Sequence, residues 1–172
     1  MVEYFIMRQD ARIKRAAQPL GEEARLLQQM PRSEIRGIST TLVFYVDESG
    51  RIEYPDFIES PLSLVSGMLK DIMGAYQKES AFKTVVLIER SNNRQETYYL
   101  TAPPLVECLS PATVYDARKS VKEPVLDKEK VGHARIFCAK GCPKLILARL
   151  DAAESILRRC PDGVWFEKVR IE

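Results

Sequence analysis

The side chains with the most reactive potential in this 172-residue chain are four cysteines and one histidine, and His133, Cys138 and Cys142 lie within ten residues of one another. Thiolates and imidazoles ligate zinc, and a Cys/His pair can act as nucleophile and base. Structural zinc sites repeat a tighter pair, commonly with two residues between ligands. Here three residues separate Cys138 from Cys142, and no second pair follows. The expectation is therefore buried or incidental thiols with no metal and no cofactor. A zinc module or small enzyme built on His133, Cys138 and Cys142 is kept as the alternative. The chain contains no Gly-rich phosphate loop, no Gly-x-Ser-x-Gly elbow and no His-Glu-x-x-His helix.

A second cluster lies in Tyr54-Pro-Asp-Phe-Ile-Glu-Ser-Pro-Leu-Ser-Leu-Val-Ser66. Asp56 and Ser60 are residue types that bond to backbone N–H groups, so the segment reads as a structural corner between strand and helix. Its other reading is a partner-binding loop formed by Tyr54, Asp56, Phe57, Glu59 and Ser60, because aromatics on a rigid corner make good interface anchors.

These residues need a scaffold, and the length suits one domain over 1–172. A chain of this size buries about two-thirds of its unfolded surface, so it needs no disulfide or metal staple. Its 26 basic and 24 acidic residues are interspersed. That balance argues against binding nucleic acid by phosphate neutralisation. The cluster Arg8, Arg12, Lys14, Arg15 reads as a solvated face. The opening Met1-Val-Glu-Tyr-Phe-Ile-Met lacks the basic start of a signal peptide, and no apolar run approaches a membrane span. A cytoplasmic protein with reduced cysteines is expected.

Residues 1–40 are weakly patterned after an opening strand at Val2–Met7, with a short helix around Ala24–Met30; residues 41–172 form the patterned core. Thr41–Val46 reads as a central strand buried on both faces. A turn at Asp47–Gly50, with Gly50 suited to positive φ, then leads into Arg51–Tyr54 as a hairpin partner. A helix follows, capped at Ser60-Pro61 or at Ser66, with Leu69, Ile72 and Met73 facing a core. Phe82–Glu89 and Gln95–Leu100 flank the polar turn Ser91–Arg94 as a hairpin. Leu105–Leu109 reads as an edge strand and Ser110–Lys130 as a long connection. Asp151-Ala-Ala-Glu154 has the form of a capping box. Trp165 belongs to a closing strand: it lies in the core if that strand is core, and otherwise on the surface as an interface candidate. The fold class is α+β: one mixed, mostly antiparallel sheet with hairpins and two main helices packed on it. The units Leu64–Ile88 and Leu145–Ile171 read equally well as a divergent strand–helix–strand repeat or as architectural coincidence.

Three stretches, Pro55-Asp-Phe-Ile-Glu-Ser-Pro-Leu-Ser-Leu-Val-Ser66, Tyr98-Tyr-Leu100 and the closing Leu-Ile-Leu-Ala…Gly-Val-Trp-Phe-Glu-Lys-Val, together resemble a family of bacterial immunity proteins from polymorphic toxin systems, immunity family eleven. The resemblance spans roughly residues 40–171. Ile146-Leu-Ala-Arg149 departs from the family's second Leu-Val-Ser. The resemblance implies a non-enzymatic protein that binds a cognate toxin domain and neutralises it by occlusion. The remaining reading is a subunit of a larger assembly.

Overall fold

The computed structural model describes residues 2–172. The first half contains β1 (Tyr4–Gln9), α1 (Glu22–Gln29), α2 (Arg32–Ile35), β2 (Leu42–Tyr45), β3 (Phe57–Ile58), β4 (Leu64–Val65), α3 (Gly67–Tyr76), β5 (Ala81–Glu89) and β6 (Arg94–Ala102). After it come β7 (Leu105–Val106), β8 (Val114–Tyr115), β9 (Val121–Glu123), β10 (Val125–Leu126) and α4 (Lys128–Val131). The chain then forms β11 (Ile136–Ala139), β12 (Cys142–Arg149), α5 (Leu150–Leu157) and β13 (Val164–Ile171). The fold is α+β with mostly antiparallel pairing. The strands divide into two large sheets and a small ribbon, where one sheet was expected. Their orders are β10-β13-β1-β12-β11-β7 and β2-β5-β6-β4-β3, with β8-β9 as the ribbon. Among the described residues no helix is long and apolar enough to cross a membrane.

The two large sheets match over five strands, and β7, parallel to β11, is the sixth strand that only one of them has. In one, β3 pairs antiparallel with β4, β4 with β6 and β6 with β5, and β5 runs parallel to β2. In the other, β11, β12, β1, β13 and β10 make the same pairings in the same order and directions. In each, a helix links two parallel strands that flank an antiparallel one: β4–α3–β5 around β6, and β12–α5–β13 around β1. The repeat reading of the sequence is thus present in the architecture. The strand equivalent to β6 is β1, taken from the other end of the chain, which places the opening strand at the centre of its sheet.

Period-two alternation sorts the apolar residues into layers. Met7, Ile146 and Val65 face inward to meet Leu69, Ile72 and Met73 of α3 and Ala152, Ala153 and Ile156 of α5. The two helices pack against each other between the sheets, and alanine at two contact positions leaves room for close approach. Phe44, Leu87 and Leu100 point the opposite way, onto Ala24, Leu27 and Ile35 of the N-terminal helices. On the far side Ile6, Phe137 and Leu147 are covered by Cys108 after β7, Leu126 of β10 and Val131 of α4.

Several local expectations are corrected. Thr41–Val46 is not central: β2 lies at the edge of its sheet, with Val43 52% and Tyr45 46% exposed. Its apolar run meets a core on one face only, because α3 does not extend over this edge. Arg51–Tyr54 does not return along β2. It runs beside the N-terminal arm, with Ala17 N–H donating to Glu53 O at 2.9 Å and Glu53 N–H to Arg15 O at 2.8 Å. Gly50 does not take the positive φ expected of it. Ser66 caps α3, its Oγ accepting from Leu69 N–H at 3.4 Å, whereas Ser60-Pro61 is a cis bond upstream. Asp151 is not the cap of α5. Strand β12 runs on to Arg149, so Asp151 falls in the first turn, where its carboxylate is taken by the Arg149 guanidinium at 2.8 and 2.6 Å. Trp165 is 44% exposed and donates its indole N–H to Gln9 O at 3.1 Å.

Candidate functional site

The cysteine–histidine cluster is dispersed by the sheet. Cys138 and Cys142 lie on the hairpin of β11 and β12, where Ala139 pairs with Cys142. That register sends Cys138 into the central core and Cys142 into the far one, where it joins Cys108. His133 sits exposed on the loop before β11. Burial pushes the Cys138 thiol up to about 12 and that of Cys108 to about 11, and raises Cys142 as well. Such thiols are protonated at neutral pH and are poor nucleophiles or ligands. Among the described residues no group of three or more His, Cys, Asp or Glu side chains is placed to hold a metal.

The corner at Tyr54–Ser60 is held together by its own chemistry. Asp56 exchanges two hydrogen bonds with the turn before β13: its N–H donates to Asp162 O at 2.9 Å, and Asp162 N–H donates to its Oδ2 at 2.6 Å. Phe57 is 1% exposed in the central core, so its ring is not available as an interface anchor. The Tyr54 hydroxyl donates to Glu89 Oε2 at 2.8 Å beneath the Arg94 guanidinium, and burial together with that bond raises its pKa. Glu59 pins the corner to β1, accepting from Arg8 Nη1 at 2.8 Å and from Gln9 N–H at 3.1 Å. Ser60 is exposed. The bonds of Tyr54, Asp56 and Glu59 are those of a structural corner.

The surface best suited to a partner lies elsewhere, on the uncovered face of β2, β5 and β6. The register places Val43 beside Val86 and Tyr45 beside Ile88. Val86 and Thr84 lie in turn beside Thr97 and Tyr99. These residues alternate with the buried set Phe44, Leu87 and Tyr98, so they share the opposite face. Helix α3 covers only the end of this face near Phe82 and Tyr99, against which its glycines pack. Beyond it, Val86 and Ile88 are half-buried and Val43 and Tyr45 open. Two cations lie over its rings: Arg90 is 3.6 Å from the Tyr45 centroid, and Lys70 is 4.7 Å from that of Tyr99. The result is a rigid aliphatic and aromatic surface edged by Arg90 and by Lys70, the latter paired with Asp71 at 3.8 Å.

Reading the sequence alone missed this face. The signal was the continuous apolar run at Leu42–Tyr45, which fits a strand covered on both sides as well as one with an open side. The chain matches no known protein-family model and no curated protein.

Proposed function

We propose that this chain is a non-enzymatic binding module, an immunity protein that neutralises a cognate bacterial toxin domain by occluding it. The observation that carries the reading is the open face of β2, β5 and β6, where Tyr45 and Arg90 stack at 3.6 Å among Val43, Val86 and Ile88. Aromatic and arginine side chains on rigid, partly desolvated surfaces supply most of the binding energy at protein interfaces. The resemblance to immunity family eleven supplies the kind of partner. The complementary surface on that partner is apolar at its centre and acidic at its edge opposite Arg90. Such a protein works by geometry, covering a site on the toxin, and needs no reactive group of its own.

The test is affinity capture from the native lysate with three tagged forms: wild type, Tyr45→Asp, and Tyr115→Asp as a control on another exposed tyrosine. One stoichiometric partner, held by wild type and Tyr115→Asp and lost by Tyr45→Asp, is expected. A partner held equally by all three forms would move the interface off this face.

A further inference from the structure

We infer that the cleft between the N-terminal arm, helices α1 and α2, the Glu59–Ser63 corner and the start of β12 binds an acidic peptide segment. The cleft has a volume of about 1040 Å³, larger than a small-molecule pocket needs. Met30, Leu62 and Leu145 contribute its apolar surface.

Its charges are unevenly compensated. The carboxylates of Asp10 and Glu59 both lie on its wall and each has an arginine partner: Asp10 has Arg12 at 2.6 Å, and Glu59 has Arg8 at 2.8 Å, a guanidinium it shares with Glu167 at 3.1 Å. The cations on the wall are Lys14, Arg32 and Lys144, and among the described residues none of their side chains forms an ion pair with a carboxylate. The Lys14 ammonium donates to Ala11 O at 3.1 Å, while its backbone N–H donates to Glu53 Oε2 at 3.0 Å. Arg32 donates to the carbonyls of Thr101, at 3.0 Å, and Pro143, so its full charge remains at the junction of α2, β6 and β12. Thr101, also on the wall, is buried with its hydroxyl oxygen unpartnered. Buried hydroxyls are normally satisfied. Three cations without an ion-pair partner and an unused hydroxyl around one cleft match a chain that presents carboxylates along its length.

This site lies away from the face of β2, β5 and β6, and its ligand does not depend on the immunity reading. The probe is a fluorescein-labelled poly-glutamate peptide of about twelve residues, about 40 Å long when fully extended. Anisotropy is expected to rise saturably and to weaken as salt rises, since the screening length falls from about 10 Å at 0.1 M to about 3 Å at 1 M. The double variant Lys14→Gln/Lys144→Gln, which changes two exposed residues, should keep the wild-type melting curve. It should weaken binding by at least about fivefold, the loss of two ordinary surface pairs. Tyr45→Asp should bind the peptide as wild type does. The proposal is overturned by an absence of saturable binding or by equal binding to the double variant. It is likewise overturned by displacement at equal concentration of inorganic phosphate, or by tighter binding of an oligo-uridine.

Discussion

At the scale of single residues, the restrictive positions are those where backbone and neighbours leave no freedom. Gly163 joins the last turn to β13 at φ +71, and a Cβ built there would lie 2.5 Å from Pro55 Cβ and 3.1 Å from Ile13 Cγ1. Both the left-handed conformation and the crowding penalise any side chain. Gly163→Ala should therefore destabilise the fold by about 2–4 kcal/mol in a denaturant titration. The Pro-Asp-Gly triplet made the turn legible in the sequence; the contact with Pro55 was not legible, because it joins residues more than a hundred positions apart. The thiols give a second test. With Cys108, Cys138 and Cys142 buried and Cys160 exposed, a thiol reagent at pH 8 should modify one cysteine in the native protein and four after denaturation. Rapid native labelling of Cys138 would contradict its placement in the core.

At the scale of elements, sequence signals were reliable wherever one local interaction decides the outcome. The hairpin of β5 and β6 was readable because a polar turn separates two alternating runs, and α3 because its apolar residues recur at helical spacing below a serine cap. The start of α5 was misjudged because a tertiary ladder decided it: pairing with β1 carries β12 through to Arg149 and shifts Asp151 into the first turn. There its carboxylate is held below the usual range, chiefly by the Arg149 side-chain hydrogen bonds. A carboxyl group with a lowered folded-state pKa contributes stability above its unfolded value, about 3.9, and loses it as pH falls through the folded value. Asp151→Asn should thus cost no more than about 1 kcal/mol at pH 7, the scale of a partly exposed ion pair. That gap should narrow in melts as pH falls below about 3.9.

At the scale of the whole molecule, the matched sheets explain why the opening strand is central. Strand β1 occupies in its sheet the position that β6 occupies after its hairpin with β5, and Tyr4 pairs with Val169 near the end of β13. A permutant that begins at Asp10 and carries residues 2–9 after Glu172 through a short glycine-containing loop should fold with the same cooperativity. Deletion of residues 2–9 should abolish folding. Pairing between the ends of the chain leaves no trace in local periodicity, so the division into two sheets was not readable from the sequence, although both strand–helix–strand units were. The candidate site was hidden for the same reason: which side of β2 stays open depends on how far α3 reaches. The account as a whole rests on that open face covering a toxin. Its most direct test is growth of cells expressing the captured partner together with this chain or its Tyr45→Asp form, with folding of both verified by melting. The account predicts that wild type restores growth and that folded Tyr45→Asp does not. Equal rescue by both forms, or a partner that does not slow growth when expressed alone, would contradict it.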